Sequence, residues 1–292
     1  MKTNIIYILI LLISSLSLNI WAQDYGKHEF SAYAGGGLNT FKYSNVATGF
    51  DTKSKMGTQF GISYTYMFKS NWGVSSGVEM AFYKAKVNST NFSDSFRTND
   101  IDNTPFEYRI KKASGLKEEL NSTFINIPIM LRFQTAGNLK LYVAGGAKIS
   151  IPIKTKAKGD IASVTTTAYY PEDNYEYTDA PFMGVGTFSN ISSKETVKFK
   201  TSVALALEFG TKYRISESND LYAAAYFDYG LNNIIKNEAA KRLVNYNAQS
   251  SPNFNLSSII GSGIFHDSKT IDVVKKIVPM AIGLKIGMTF IL

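Results

Sequence analysis

The sequence predicts an all-β chain: an eight-stranded antiparallel transmembrane β-barrel with short periplasmic turns and long extracellular loops. Three observations predict it. Large apolar residues alternate with small or polar ones through eight stretches, the period of a strand whose two faces meet different surroundings. Most glycines of those stretches fall on the polar side. The connections between stretches are alternately long and short, as in barrels of this class.

The leader comes first. Lys2 gives a positive start, residues 5–18 are apolar apart from serines, and Asn19-Ile20-Trp21-Ala22-Gln23 closes the run. This three-part layout reads as a secretory signal peptide over residues 1–22, leaving 23–292 as the barrel domain. The run of about 14 residues is short for a membrane-spanning helix, and no second long apolar stretch follows. There is no cysteine, which excludes a disulfide framework, thiolate metal sites and lipid attachment through a cysteine. The net charge of +8 comes from scattered residues, so it fits a solvated surface and a charged barrel interior better than nucleic-acid binding.

The strands follow in order. Residues 28–41 set Phe30, Ala32, Ala34 and Leu38 against Glu29, Ser31, Tyr33, Gly35, Gly37 and Asn39. Residues 56–68 alternate most cleanly, with Met56, Thr58, Phe60, Ile62, Tyr64, Tyr66 and Phe68 on one face and Gly57, Gln59, Gly61, Ser63, Thr65 and Met67 on the other. Residues 73–87 set Val74, Val78, Met80 and Phe82 against Ser75, Gly77 and Glu79. Residues 123–133 set Ile125, Ile127, Ile129, Leu131 and Phe133 against Asn126, Pro128, Met130 and Arg132. Residues 139–153 set Leu141, Val143, Ile149, Ile151 and Ile153 against Lys140, Tyr142, Gly146 and Lys148. Residues 197–215 set Phe199, Val203, Leu205, Leu207 and Phe209 against Lys200, Ser202, Glu208, Gly210 and Lys212. Residues 221–231 set Leu221, Ala223, Ala225, Phe227, Tyr229 and Leu231 against Tyr222, Tyr226, Asp228 and Gly230. Residues 278–292 set Met280, Ile282, Leu284, Ile286, Met288 and Phe290 against Ala281, Gly283, Lys285, Gly287 and Thr289.

These stretches are long enough to cross a bilayer when tilted, and longer than most strands of soluble domains. A barrel of about eight strands has room inside only for packed side chains. Small residues therefore suit the inner face and large apolar ones the lipid-facing side. A soluble barrel holding a lipophilic ligand would show the reverse. The short links 69–72, 135–138 and 216–220 are expected in the periplasm, with Trp72 in an aromatic girdle there, and the long segments 88–121, 154–196 and 232–276 outside the cell. Residues 162–170 and 175–188 are β-prone around Pro171 and are expected to extend a hairpin above the membrane. Residues 233–244 are expected to form a short helix.

The segment Phe124-Ile125-Asn126-Ile127-Pro128-Ile129-Met130-Leu131-Arg132-Phe133 resembles the "IP-x-x-L-[RK]-[FY]" strand of the PorT-like outer-membrane β-barrel family common in Bacteroidota. Leu141-Tyr142-Val143-Ala144-Gly145-Gly146 is similar to that family's next strand, and Asp228-Tyr229-Gly230-Leu231-Asn232-Asn233-Ile234 to its "Y-x-x-G-L-x-N-I" element. The likeness runs through nearly the whole mature chain. It implies an outer-membrane barrel, and for a few members an accessory place in a protein secretion and gliding apparatus. The segments 154–196 and 232–276 exceed the shorter members. Pro128 lacks a ladder donor, so a bulge or a missed hydrogen bond is expected around it, facing inward.

The polar face carries Glu29, Glu79, Arg132, Lys148, Glu208, Lys212, Asp228 and Lys285. Buried charges need partners, so these are expected to pair inside the barrel and fill it. A gated ion or small-solute path is the alternative. Gly35-Gly36-Gly37 lies within a strand with no helix after it and reads as barrel packing, not a phosphate cradle. His28, and His266 beside Asp267 and Ser268, are the histidines available to an outer-membrane enzyme sited in the last long loop. Adjacency in sequence is not triad geometry. Tyr169, Tyr170, Tyr175 and Tyr177 serve equally for binding a partner or packing loops together. The expectation is a non-catalytic barrel without cofactor. Its role is structural or partner-binding, accessory to a secretion apparatus or in surface adhesion. It contacts outer-membrane lipid and lipopolysaccharide, and another envelope protein.

Overall fold

In a computed structural model of the chain, residues 28–236, 241–266 and 269–292 are described. The leader expected at 1–22 lies outside them. Eight long strands organise the molecule. They are β1 (His28–Val46), β2 (Gly57–Met67), β3 (Trp72–Asn99), β4 (Pro105–Gln134), β5 (Leu139–Tyr170), β6 (Ser202–Ser216), β7 (Asn219–Gly230) and β8 (Val274–Ile291). Each pairs antiparallel with the next in sequence, and β8 pairs back onto β1, which closes the circuit. Over the lower part of the circuit each strand has a neighbour on both sides, so ladder donors there find partners across the wall.

The outer wall is apolar over a limited height. On β3, Trp72, Val74, Val78, Met80 and Phe82 point outward, then Lys84 and Lys86 take over. On β4 the outward series from Phe133 to Ile125 gives way to Thr123 and Asn121, and on β5 the series from Leu139 to Ile153 gives way to Lys154 and Lys156. Leu284 is 68% exposed, Ile286 67% and Phe209 62%, whereas Lys212 inside is 1% exposed. About ten residues at ~3.3 Å each, tilted by about 40°, make a band roughly 25 Å tall, the height of a hydrocarbon core.

Inside this band, tyrosines lie over glycines of the neighbouring strand. Tyr33 faces Gly61 and Gly287, Tyr142 faces Gly210, Tyr222 faces Gly287, and Tyr226 faces Gly283. A Cβ on Gly283 would sit 2.3 Å from the Gly36 carbonyl oxygen and 2.7 Å from the Tyr226 hydroxyl. The glycine vacates the space that the ring fills, which explains why both residue types share the inner face. Gly283→Ala is expected to lower stability by about 1–3 kcal/mol, because the clashing atom is backbone and cannot step aside. The urea midpoint of the detergent-solubilised protein measures it.

Above the band the structure departs from the expected loops. Residues 88–121 are not a loop: β3 and β4 run on as one long hairpin to a turn at residues 100–104, where Asp100 Oδ1 accepts the Asp102 and Thr104 N–H groups at 2.9 Å. The register shifts between Phe92 and Asp94, and between Ile110 and Lys112. Both mark one extra residue on β4 at 111–112, which sets Ala113 out of step with Ile110, while on β3 the inward series changes phase between Ser89 and Phe92, so a fixed period of two loses the pattern there. β5 continues to Tyr170, and Gly186–Thr196 returns along it. This matches the hairpin expected around Pro171. Phe50–Ser54 adds to β3. The helix expected over 233–244 is absent from its described residues: Lys241–Arg242 and the start of Val244–Tyr246 are strand, and 237–240 lie outside the description.

These extensions enclose a second core. Phe41, Tyr83 and Phe124 close the top of the barrel, with Tyr83 and Phe124 ring centroids 5.2 Å apart. Leu116, Leu120, Tyr108, Ile161 and Val164 continue the same inner face upward, and Leu243, Ile259 and Val273 from the last long segment pack onto them with Ile277 of β8. Phe199, expected outward on a strand starting at 197, instead packs against Phe41 at 5.5 Å. Its strand begins at Ser202. Pro128 produces no bulge. The β3–β4 ladder simply omits Gly77–Val78 against Ile127–Pro128 and resumes on both sides.

Candidate functional site

The period-two face of seven strands brings the eight charged residues into one stack inside the band. Lys148 on β5 reaches Glu79 on β3 at 3.2 Å and Asp228 on β7 at 2.5 Å. Lys285 on β8 meets Glu208 on β6 at 2.5 Å. Lys212 on β6 meets Glu29 on β1 at 2.5 Å, and Arg132 on β4 lies 3.7 Å from the same carboxylate. Four cations thus face four carboxylates. Neutrality matters here because an uncompensated charge at this depth would be costly.

Neutral donors complete the stack. Tyr33 donates to Glu79 at 3.1 Å, Asn126 to Glu79 at 2.6 Å, Tyr142 to Glu208, and Gln134 to Glu29 at 3.1 Å. The Arg132 guanidinium lies 4.7 Å from the Tyr142 ring centre and the Lys285 ammonium 4.4 Å from that of Tyr33. Such cation–π contacts satisfy charge without adding a second ion. A further pair, Lys140 with Asp220 at 2.7 Å, closes the end near the short turns. The void left among Tyr33, Glu79, Arg132, Lys148, Glu208 and Lys285 is about 20 Å³, room for roughly one water. Sequence reasoning named the charges but not Asn126 and Gln134 as their partners. Both occupy the same alternating face, which was the available signal.

A second buried acid lies well above the band. Glu118 on β4 accepts the Ile259 N–H and the Ser258 hydroxyl, each at 2.9 Å. Glu195 accepts the neighbouring Ser258 N–H at 2.8 Å and pairs with Lys241 at 2.8 Å. Burial pushes the Glu118 carboxyl up to about 7, and the negative Glu195 adds to the rise, against the two hydrogen bonds. It was missed because it falls in the segment read as a loop.

His28 sits at the foot of β1, with Nδ1 2.5 Å from the Tyr64 hydroxyl. His266 ends the strand Ser262–His266, and Asp267 and Ser268 lie outside the described residues. The four loop tyrosines divide. Tyr170 is buried, stacked 5.3 Å from Phe106, and Tyr169 lies under Arg109 at 4.4 Å. Tyr175 and Tyr177 remain exposed, as do Ile101 at the hairpin turn and Phe182.

Residues 21–236 match the outer membrane protein beta-barrel domain. No curated protein matches the chain. Among solved structures it is similar to the outer membrane protein OprG from Pseudomonas aeruginosa, at 14% identity over 92% of this chain and 97% of that one, with a TM-score of 0.34. It is similar to Ail, the attachment invasion locus protein of Yersinia pestis, at 11% identity over 92% and 99%, with a TM-score of 0.30. A major outer membrane protein from Thermus thermophilus is similar at 14% identity over 91% and 99%, with a TM-score of 0.34.

Proposed function

Because this chain belongs to the outer membrane protein beta-barrel family and resides in the bacterial outer membrane, we propose that it is a plugged eight-stranded transmembrane barrel holding a folded β head outside the cell. We assign it to the PorT-like branch common in Bacteroidota, on the Ile127-Pro128 strand and the Tyr229-Gly230-Leu231 element. Its short turns face the periplasm, with Trp72, edge-on to Phe133 at 5.1 Å, in the interfacial girdle. The head meets a partner at the cell surface, and the protein catalyses no reaction. This role is structural or adhesive, or accessory to a secretion apparatus.

The observation that carries the reading is the packed, neutral interior. Three interlocked sets, Lys148–Glu79–Asp228, Lys285–Glu208 and Lys212–Glu29–Arg132, fill the cross-section, and the apolar core above them caps it. This favours a support over a pore, since an ion would have to displace paired charges and then cross an apolar plug. Planar-bilayer recording of the purified protein is expected to show a silent membrane. Steady, long-lived conductance steps would contradict the plug.

A further inference from the structure

We propose that the outer face of β3–β4–β5, just above the apolar band, is a binding site for the phosphorylated headgroup of an outer-leaflet glycolipid. The inference rests on the membrane orientation proposed above. Strand register builds the site in rows. The row Met80–Ile125–Ile151 is wholly apolar. The next row up is Phe82–Thr123–Lys154, and the one above it is Lys84–Asn121–Lys156. Within two rows the wall passes from hydrocarbon-compatible to cationic.

The side chains of these two upper rows line a shallow groove of about 230 Å³. Among the described residues, no carboxylate pairs with Lys84, Lys154 or Lys156. The nearest acid in the series, Glu119, stands one row higher and lies 3.9 Å from Lys86 instead. Three cations with no counter-ion, beside the Asn121 amide and the Thr123 hydroxyl, form a donor set that suits phosphate oxygens. The apolar row directly beneath gives the acyl chains of the same molecule a wall to lie on. A free phosphate would use only the cationic half. The continuity of the two halves is what selects a lipid.

The test uses the full-length mature protein in phosphatidylcholine vesicles doped with bis-phosphorylated lipid A or with its dephosphorylated form. Heat-modifiable migration on gels first reports insertion. Bound lipid is then counted by native mass spectrometry after extraction. Wild type is expected to retain the phosphorylated lipid, and Lys84→Gln/Lys154→Gln/Lys156→Gln to retain at least about tenfold less, since each surface lysine contributes roughly fivefold to anionic-lipid attraction. Millimolar inorganic phosphate is expected not to displace the lipid. Equal retention of the dephosphorylated lipid, or an unchanged triple variant, in protein that has inserted overturns this inference alone. Displacement by inorganic phosphate overturns the choice of a lipid. Failure to insert at all overturns the membrane orientation and this inference together.

Discussion

Lys148→Met is expected to destabilise the barrel by about 3–5 kcal/mol, the loss typical when one partner of a buried ion pair is removed. Lys148 is buried and bridges Glu79 and Asp228 from opposite sides. Methionine fills much of its volume, so the loss arises from charge more than from a cavity. Two carboxylates would then be left without a cation between them at a depth with room for little water. The expected result is a clear fall in the urea midpoint, with the variant running as unfolded on unheated gels. Adding Glu79→Gln and Asp228→Asn is expected to recover most of the loss, because the same positions then carry no net charge. If the triple variant were as weak as the single one, shape and not charge would be what Lys148 supplies.

The second large effect concerns the head. Glu118 is buried, with its carboxyl raised from an ordinary value of 4.5 to about 7. An acid raised on folding contributes stability that is complete below pH 4.5 and is lost as pH climbs through 7. The gap corresponds to about 3 kcal/mol of local stability between those limits. Raising the pH from 5 to 8 is therefore expected to loosen residues 254–262, which Glu118 holds through Ser258 and Ile259. Hydrogen exchange of that segment measures it. Glu118→Gln keeps an oxygen for the Ile259 N–H and gains a donor for the Ser258 hydroxyl, without an ionisable proton. It is expected to protect the segment evenly across this range. Equal pH dependence in wild type and variant would refute the assignment.

The outward and inward faces of the wall were readable because the hydrocarbon and the crowded interior demand opposite chemistry at each step. Lys148, Glu79 and Asp228 could be placed on one face, but not joined to one another. Their pairing depends on stagger between strands far apart in sequence, which a one-strand reading does not contain. The head was lost for a different reason. Tyr108, Ile110, Leu116 and Leu120 keep one phase on β4, but the extra residue at 111–112 throws Ala113 out of it, and on β3 the inward series switches phase between Ser89 and Phe92. Lys84, Lys86 and Asn88 on the outer side also remove the apolar signal where the wall leaves lipid. Glu118 was hidden with that segment. Phe199 misled because it sits in phase with Val203 while the strand itself starts later.

The long β3–β4 hairpin has a consequence for how the surface is sensed. From Lys84 to the turn at residues 100–104 is roughly 15 residues, about 50 Å along the strand and somewhat less above the bilayer after tilt. The Debye length in physiological salt is about 8 Å. An approaching molecule that touches Ile101 is thus screened from the field of the lysines near the lipid. The two ends of the head are electrostatically independent surfaces, so a mutation that neutralises the lower one leaves the potential at the summit unchanged.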